Sequence, residues 1–313
     1  MGIEVLYGSW YRDNWQQWIK DNHQYIDYIY INRPHISIKY IDFLKQFTRA
    51  KILYYGHDLH FLRDQMQYEI DKDPKLLKSA QKWKETEMYL FENADIILTP
   101  SAEENKIISS LNDSFHVETI LPYFFKAGAN PVNNFSERAD ILFVGGFGHT
   151  PNLDAVEWFC RDVWPLVIKD LPGAKFIVVG SNPPDAVKNL QSATIEIMGF
   201  VSDKELSSLY EKVKVVVIPL RYGAGVKGKT VEAMYHGLPI VSTSFGIEGM
   251  PGDYLHFLHP VNQPEEFAGE ITRLYKNDHL LTALSLVETN YINEHFTQQI
   301  AAAKMKDMLG LNG

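Results

Sequence analysis

The chain alternates from its start between short apolar runs and amphipathic stretches of helical period. In the first half the apolar runs are IEVLY (3–7), YIDYIYI (25–31), KILYY (51–55), DIILTP (95–100) and HVETIL (116–121). Runs this short, rich in Ile, Val, Leu and Tyr, suit buried parallel strands. Between them NWQQWIKD (14–21) and SIKYIDFLKQF (37–47) space apolar residues three and four apart, as a helix does. A longer helix is predicted over 74–93, with Leu76, Leu77, Ala80, Trp83, Met88, Leu90 and Phe91 on its apolar face. Another follows from Ser101, an N-cap residue by type.

Residues 122–139 carry Pro, Gly, Asn and Ser with neither period, which marks a linker. A second alternating series then begins. DILFVGG (140–146), KFIVVG (175–180), TIEIMGF (194–200), VKVVVIP (213–219), PIVST (239–243) and YLHFL (254–258) read as strands. Helices are expected over 152–170, 184–191, 203–212, from Thr230 to the stop at Gly237, and from Pro264 to about Leu309. Such alternation predicts an α/β protein of two doubly wound, Rossmann-like parallel-sheet domains with a ligand cleft between them. The expected division is 1–125, a linker over 126–139, a second domain over 140–295, and a terminal helix over 296–313 whose return to the first domain is left open.

Composition narrows the function classes. Thirty basic against 39 acidic residues give a net charge of −9, which argues against a nucleic-acid partner. The single cysteine, Cys160, excludes an intramolecular disulfide, and its apolar setting (AVEWFC) reads as a buried thiol. No run reaches the roughly 18 apolar residues of a membrane span, and no secretory signal pattern opens the chain. The expected location is cytoplasmic, with peripheral membrane contact through the basic, aromatic 33–51 stretch left open.

Candidate chemistry concentrates between Pro219 and Gly246, PLRYGAGVKGKTVEAMYHGLPIVSTSFG. A strand ends, Gly223, Gly225 and Gly228 follow with Lys227 and Lys229 between and after them, and a helix begins. Backbone N–H groups at a helix start, its dipole and two lysines suit a phosphate. Glu232, one turn in, is placed for a sugar hydroxyl pair. Gly145, Gly146 and Gly148, after the strand DILFVGG, form a second phosphate-loop shape. His57 and Asp58 end the strand KILYY, at the sheet edge where ligand chemistry sits. There the plainer reading, a turn cap and a helix start, stands beside the chemical one. Glu248 reads as exposed. No H-E-x-x-H, C-x-x-C or D-x-D pattern points to a metal.

The segment GAGVKGKTVEAMYHGLPIVSTSFGIEG resembles the donor-binding core of GT-B glycosyltransferases, in particular the retaining group called GT4. Their E-A-x-x-x-G-x-P-V-V tail stands here as Glu232, Ala233, Gly237, Pro239, Ile240 and Val241. The resemblance covers 140–260 well and 50–125 more loosely. It implies a retaining, metal-independent transferase that takes a sugar from a nucleotide-diphosphate sugar to a glycan or lipid-linked acceptor, as in bacterial surface-polysaccharide synthesis. Donor binding would fall to Gly146, Phe147, Asn152, Phe200, Gly223, Ala224, Gly225, Val226, Lys227, Lys229, Thr230 and Glu232. Phe200, or Val201 beside it, would meet the nucleobase. His57 and Asp58 would face the transferred sugar or acceptor, with His60 and Arg63 of lower rank.

Departures from the family pattern keep alternatives open. Of the family's two glutamates spaced E-x7-E, Glu232 matches the second and Ala224 stands at the first. The Arg and Lys common in the first glycine loop are replaced by Pro151, Asn152, Asp154 and Ala155 of a P-N-x-D-A subset, which leaves diphosphate charge to Lys227 and Lys229. The N-terminal half is short for the family, as in a compact domain or a segment of a larger multi-domain chain. A donor-binding but inactive regulatory or scaffold module, and a GT-B nucleotide-sugar epimerase, are the alternatives.

Overall fold

The computed structural model describes residues 3–223 and 225–311. It forms two units, Met1–Ile120 and Leu121–Gly313. In the first, α1 (Ser9–Asn22), β1 (Tyr28–Asn32), α2 (Pro34–Ser37), α3 (Ile41–Phe47), β2 (Lys51–Tyr55) and α4 (His60–Asp71) follow in order. Then come α5 (Pro74–Asn93), β3 (Ile96–Thr99), α6 (Ala102–Leu111) and β4 (Val117–Thr119). The strands lie parallel in chain order, β1-β2-β3-β4, with Leu53 opposite Ile96 and Ile97 opposite Val117. Ile52 to Tyr55 and the whole of β3 are buried, which is why they read as unbroken apolar runs.

Two expectations fail in this unit. Residues 3–7 form no strand: Ile3, Val5 and Tyr7 are 73%, 69% and 81% exposed, so this run meets no core. The single helix expected over 37–47 is two. Pro34 presets a helical first turn and starts α2 early, and tight bonds from Lys39 N–H to Ile36 and Tyr40 N–H to Ser37 close it before α3. Helix α4, which the periodicity did not single out, follows β2 directly.

The second unit opens with β5 (Ile141–Val144), α7 (Thr150–Trp158), a π turn (Phe159–Val163) and α8 (Trp164–Asp170). β6 (Phe176–Val179), α9 (Asp185–Lys188), β7 (Ile195–Gly199), α10 (Asp203–Tyr210) and β8 (Val215–Ile218) come next. α11 (Gly228–Tyr235), β9 (Ile240–Ser242), α12 (Pro264–Tyr275), α13 (Asp278–His295) and α14 (Gln298–Met308) complete it. Its parallel sheet has the order β7-β6-β5-β8-β9. The chain runs outward from β5 to β7, then returns to the other side of β5. That reversal makes a switch point between β5 and β8, the place where such sheets bind ligands.

The helix expected over 152–170 is broken because Pro165 has no N–H and its ring crowds the preceding turn; the wider π turn absorbs the misfit. Phe159, inside that turn, packs on Phe176 with ring centroids 4.4 Å apart, and Phe267 of α12 joins them. The strand expected at 254–258 is a turn: Phe257 and Leu258 both donate to the Tyr254 carbonyl, and Leu255 is exposed. Residues after Ile120 are fastened to the second unit's own helices. Phe125 stacks on Tyr235 of α11 at 3.7 Å, and the Asn293 side chain bonds both the N–H and the C=O of Ala129. No described helix is long and apolar enough to cross a membrane.

Candidate functional site

At the switch point of the second unit, the loop after β5 and the loop after β8 are tied together. Asn152, buried near the start of α7, donates from Nδ2 to the Gly146 carbonyl at 2.7 Å. Its Oδ1 accepts from the Lys229 ammonium, which also lies 4.4 Å over the ring of Phe143. A Cβ at position 145 would stand 2.5 Å from Lys229 Nζ and 2.8 Å from Asn152 Cγ, so a side chain there would displace this pair. Two residues along α7, Asp154 accepts from both nitrogens of a fork from Arg221, at the head of the second loop. The P-N-x-D spacing thus sends two side chains from opposite sides of the start of α7 to Lys229 and Arg221, at the two ends of the other loop.

Lys229 has no carboxylate partner among the described residues. Part of the residue reaches solvent, yet burial of its ammonium, helped by nearby Lys227, pulls it down to about 7. Near neutral pH it is therefore shared between ammonium and amine, and an anion placed beside it would favour the ammonium. Lys227 is turned back on its own loop, to the Gly225 carbonyl and, at 3.4 Å, to Glu248. Glu248 is accordingly half-buried, not exposed as its sequence setting suggested.

Gly223 (φ 129°) and Gly225 (φ 73°) take left-handed backbone that other residues resist, and so bend the chain into α11. Ala224 lies outside the described residues. Val226 is buried, and Thr230 spends its hydroxyl on the Gly246 carbonyl at 2.7 Å. Both therefore shape the loop from beneath. Glu232 is half-buried; burial, with Asp203 nearby, raises its carboxyl. Tyr123 was missed by sequence reasoning. Its phenol accepts from the Gly228 N–H at the start of α11, and its ring leaves no room for a side chain there.

In the first loop Gly146 is exposed. Phe147 turns inward instead, its ring beside Gly180 and its N–H bonded to Ser181. Phe200, by contrast, is 78% exposed after β7. The helix that follows starts with Ser202 as its cap, in a capping box with Glu205. Cys160 is buried and its thiol pushed up to about 12, which leaves it inert.

The first unit presents a different site. His57 follows Gly56 at the end of β2, with φ 71°, a left-handed conformation that costs a non-glycine roughly 1–2 kcal/mol. Its ring is exposed and lies edge-on to Tyr55 at 4.7 Å. Burial, with Arg33 and His60 nearby, lowers its imidazole below the usual range. The Asp58 carboxylate accepts from Arg63 at 2.8 Å and lies 3.4 Å from His60 Nδ1. Beneath them Glu87, 1% exposed, receives the N–H groups of His60 and Phe61.

Residues 138–277 match the family model described as Glycosyl transferases group 1. This stretch holds the switch-point loops, and the fold of the chain is that of GT-B glycosyltransferases. An uncharacterized 44.6 kDa protein in the cps region of Klebsiella pneumoniae is 30% identical over 166 residues, 49% of this chain and 43% of the relative. Among solved structures, sucrose-phosphate synthase from Thermosynechococcus elongatus matches with a TM-score of 0.73 at 16% identity, over 98% of this chain and 80% of the other. Staphylococcus aureus TarM, solved with Fondaparinux, alpha-GlcNAc-glycerol and UDP, matches with a TM-score of 0.69 at 17% identity, over 93% and 57%. The chain thus spans about half the length of the cps-region relative and of TarM.

Proposed function

We propose that the protein is a retaining glycosyltransferase. It would move a sugar from a nucleotide-diphosphate sugar to a glycan or lipid-linked acceptor in bacterial polysaccharide synthesis. The observation that carries this reading is the uncompensated, buried Lys229 ammonium between two glycine loops at the switch point, within the segment that matches the glycosyl transferases group 1 model. In the proposed mechanism, Lys229, Lys227, the amides of Gly146 and of the second loop, and the α11 N-terminus receive the donor diphosphate. They stabilise charge as the sugar–phosphate bond breaks, with no metal required. Asn152 holds Lys229 in place. Glu232 takes the ribose hydroxyls and Phe200 offers its exposed ring to the base. His57 and Asp58 serve the transferred sugar.

The test is a thermal-shift panel of UDP, GDP, dTDP and ADP with their common sugars, on the wild type and Lys229→Ala. UDP, present with TarM, is the first probe. A native-state ligand raises the melting temperature by mass action. Lys229→Ala is expected to weaken the preferred donor roughly tenfold to a hundredfold, the worth of a charge-assisted bond. Lys229 must be charged to meet a diphosphate, and its free form titrates at about 7. Donor affinity therefore falls as pH rises from about 6.5 to about 8.5 in the wild type and stays level in the variant. A nucleotide-sugar is the right probe, because its diester phosphates keep their charge over that range. No shift with any nucleotide would sink the donor site, and release of free sugar without transfer would sink the transferase.

A further inference from the structure

The turn that carries His57 and Asp58 is strained, and little within it explains how it is held. His57 sits in the left-handed region, and Leu59, which precedes α4, offers no side-chain cap. The first N–H groups of a helix are orphan donors. Here they are met from another helix. Glu87 of α5 accepts from His60 N–H at 2.9 Å through Oε1 and from Phe61 N–H at 3.2 Å through Oε2. The same Oε1 lies 3.2 Å from His60 Nδ1. That nitrogen is also 3.1 Å from the Asp58 carbonyl and 3.4 Å from the Asp58 carboxylate. One imidazole edge thus lies between the carboxylate beneath the turn and the carboxylate on it.

We infer that Glu87 holds the His57–Asp58 turn, by capping α4 and by bridging to Asp58 through His60, and so acts as a positioning residue for the turn. Its bearing on catalysis rests on the transferase reading; its bearing on the turn does not. A buried carboxylate facing a second one needs a cation between them. His60 supplies it when protonated. Burial opposes that charge, but the bond to Glu87 and the field of Asp58 outweigh it and raise the imidazole, while Arg63 works the other way. His57, above, and Tyr54 of β2, whose phenol burial raises with help from Glu87 and Asp58, complete the titratable groups around it. Trp83 of α5 packs on the His60 ring at 4.7 Å and shuts out water on that side. When His60 loses its proton, Glu87 faces Asp58, still paired with Arg63, across a neutral ring, and the hold on the turn weakens.

The experiment uses the full chain and two readouts that need no activity. Ring-labelled histidine followed by NMR is expected to show one imidazole titrating above the ordinary range, absent in His60→Gln and moved down in Glu87→Gln. Amide deuterium exchange over 56–61 is expected to quicken several-fold in Glu87→Gln, and in the wild type as pH passes that titration, beyond the intrinsic rise. Should Glu87→Gln fold poorly, the wild-type pH series alone decides. With a donor and acceptor in hand, Glu87→Gln should lower kcat about tenfold or more while KM for the donor stays within about twofold, and Glu87→Asp should recover part of the loss. Unchanged exchange and an unmoved histidine overturn the inference whatever the activity. Faster exchange with unchanged kcat overturns the positioning role. If no donor is ever turned over, yet exchange and titration move as stated, the transferase reading fails and the hold of Glu87 on the turn stands.

Discussion

The two units bring side chains to the ends of parallel strands by different means. In the second, the sheet doubles back at β5 and β8, and glycines at 145, 223, 225 and 228 let backbone and lysine approach closely. In the first, the described strands run in chain order, and the turn after β2 is held by a buried network of Glu87, His60, Asp58 and Arg63. Backbone shape makes the one site and charge makes the other. The first kind is expected to tolerate pH better in its fold than in its affinity for the proposed donor, since its sensitive group is a lysine with no carboxylate partner among the described residues. The second is sensitive to pH in its own geometry.

The contrast is sharpened by what each perturbation leaves alone. The largest effect is expected from Phe159→Ala. Its ring is fully buried among Phe176, Trp164 and Phe267 behind β5 and β6. Its loss should cost about 3–5 kcal/mol and lower the melting of the second unit by roughly ten degrees. Amide exchange over 51–55, in the first unit, should stay as in the wild type; equal loss of protection there would mean that the two units melt as one.

Glu288 offers a smaller and pH-dependent effect. It is buried on α13, where burial raises its carboxyl well above the usual value against the help of a bond from the Ile240 N–H. The native state then keeps a proton that the unfolded chain loses above about pH 4.3, so wild-type stability declines as pH rises through that window. Glu288→Gln removes the titration. Its advantage should grow between pH 5 and 8 by up to about 1.4 kcal/mol per unit, as read from urea midpoints. Parallel profiles for the two proteins would show Glu288 to be ionised in place.

Smallest of the three is Ser202→Ala, which breaks the reciprocal cap with Glu205 before α10. A loss of about 1 kcal/mol is expected. Because Phe200 stands two residues away and fully outside, nucleotide affinity should fall less than stability does. A donor affinity lost altogether would mean that the cap, not the ring, makes the base site.

Much of this architecture is legible in the sequence. β2, β3, β5, β6 and β8 are continuous apolar runs because both faces of a central parallel strand are covered, and a strand-to-helix loop of glycine and lysine announces itself. Edge runs are harder. IEVLY and YLHFL have strand composition, yet whether a run finds a partner is decided by distant residues, and neither does. Other features hide because their meaning is pairwise. Glu87 falls on the buried face of α5 with Ala80, Leu90 and Phe91, which was the available signal, but only the orphan amides of α4 explain a carboxylate there. Asn152 and Asp154 show their spacing in the sequence, while their partners Lys229 and Arg221 lie 77 and 67 residues on. Tyr123 sits in a stretch with no period at all.

That tyrosine has a consequence for how the chain can change over generations. A side chain of any size at position 228 would bring its Cβ to 2.8 Å from the Tyr123 ring. Such a residue enters at the head of α11 only if the ring, whose outer side reaches solvent, swings aside. A smaller residue at 123 removes that obstacle and uncovers the Gly228 amide. Substitution at 228 is therefore easier after a change at 123 than before it.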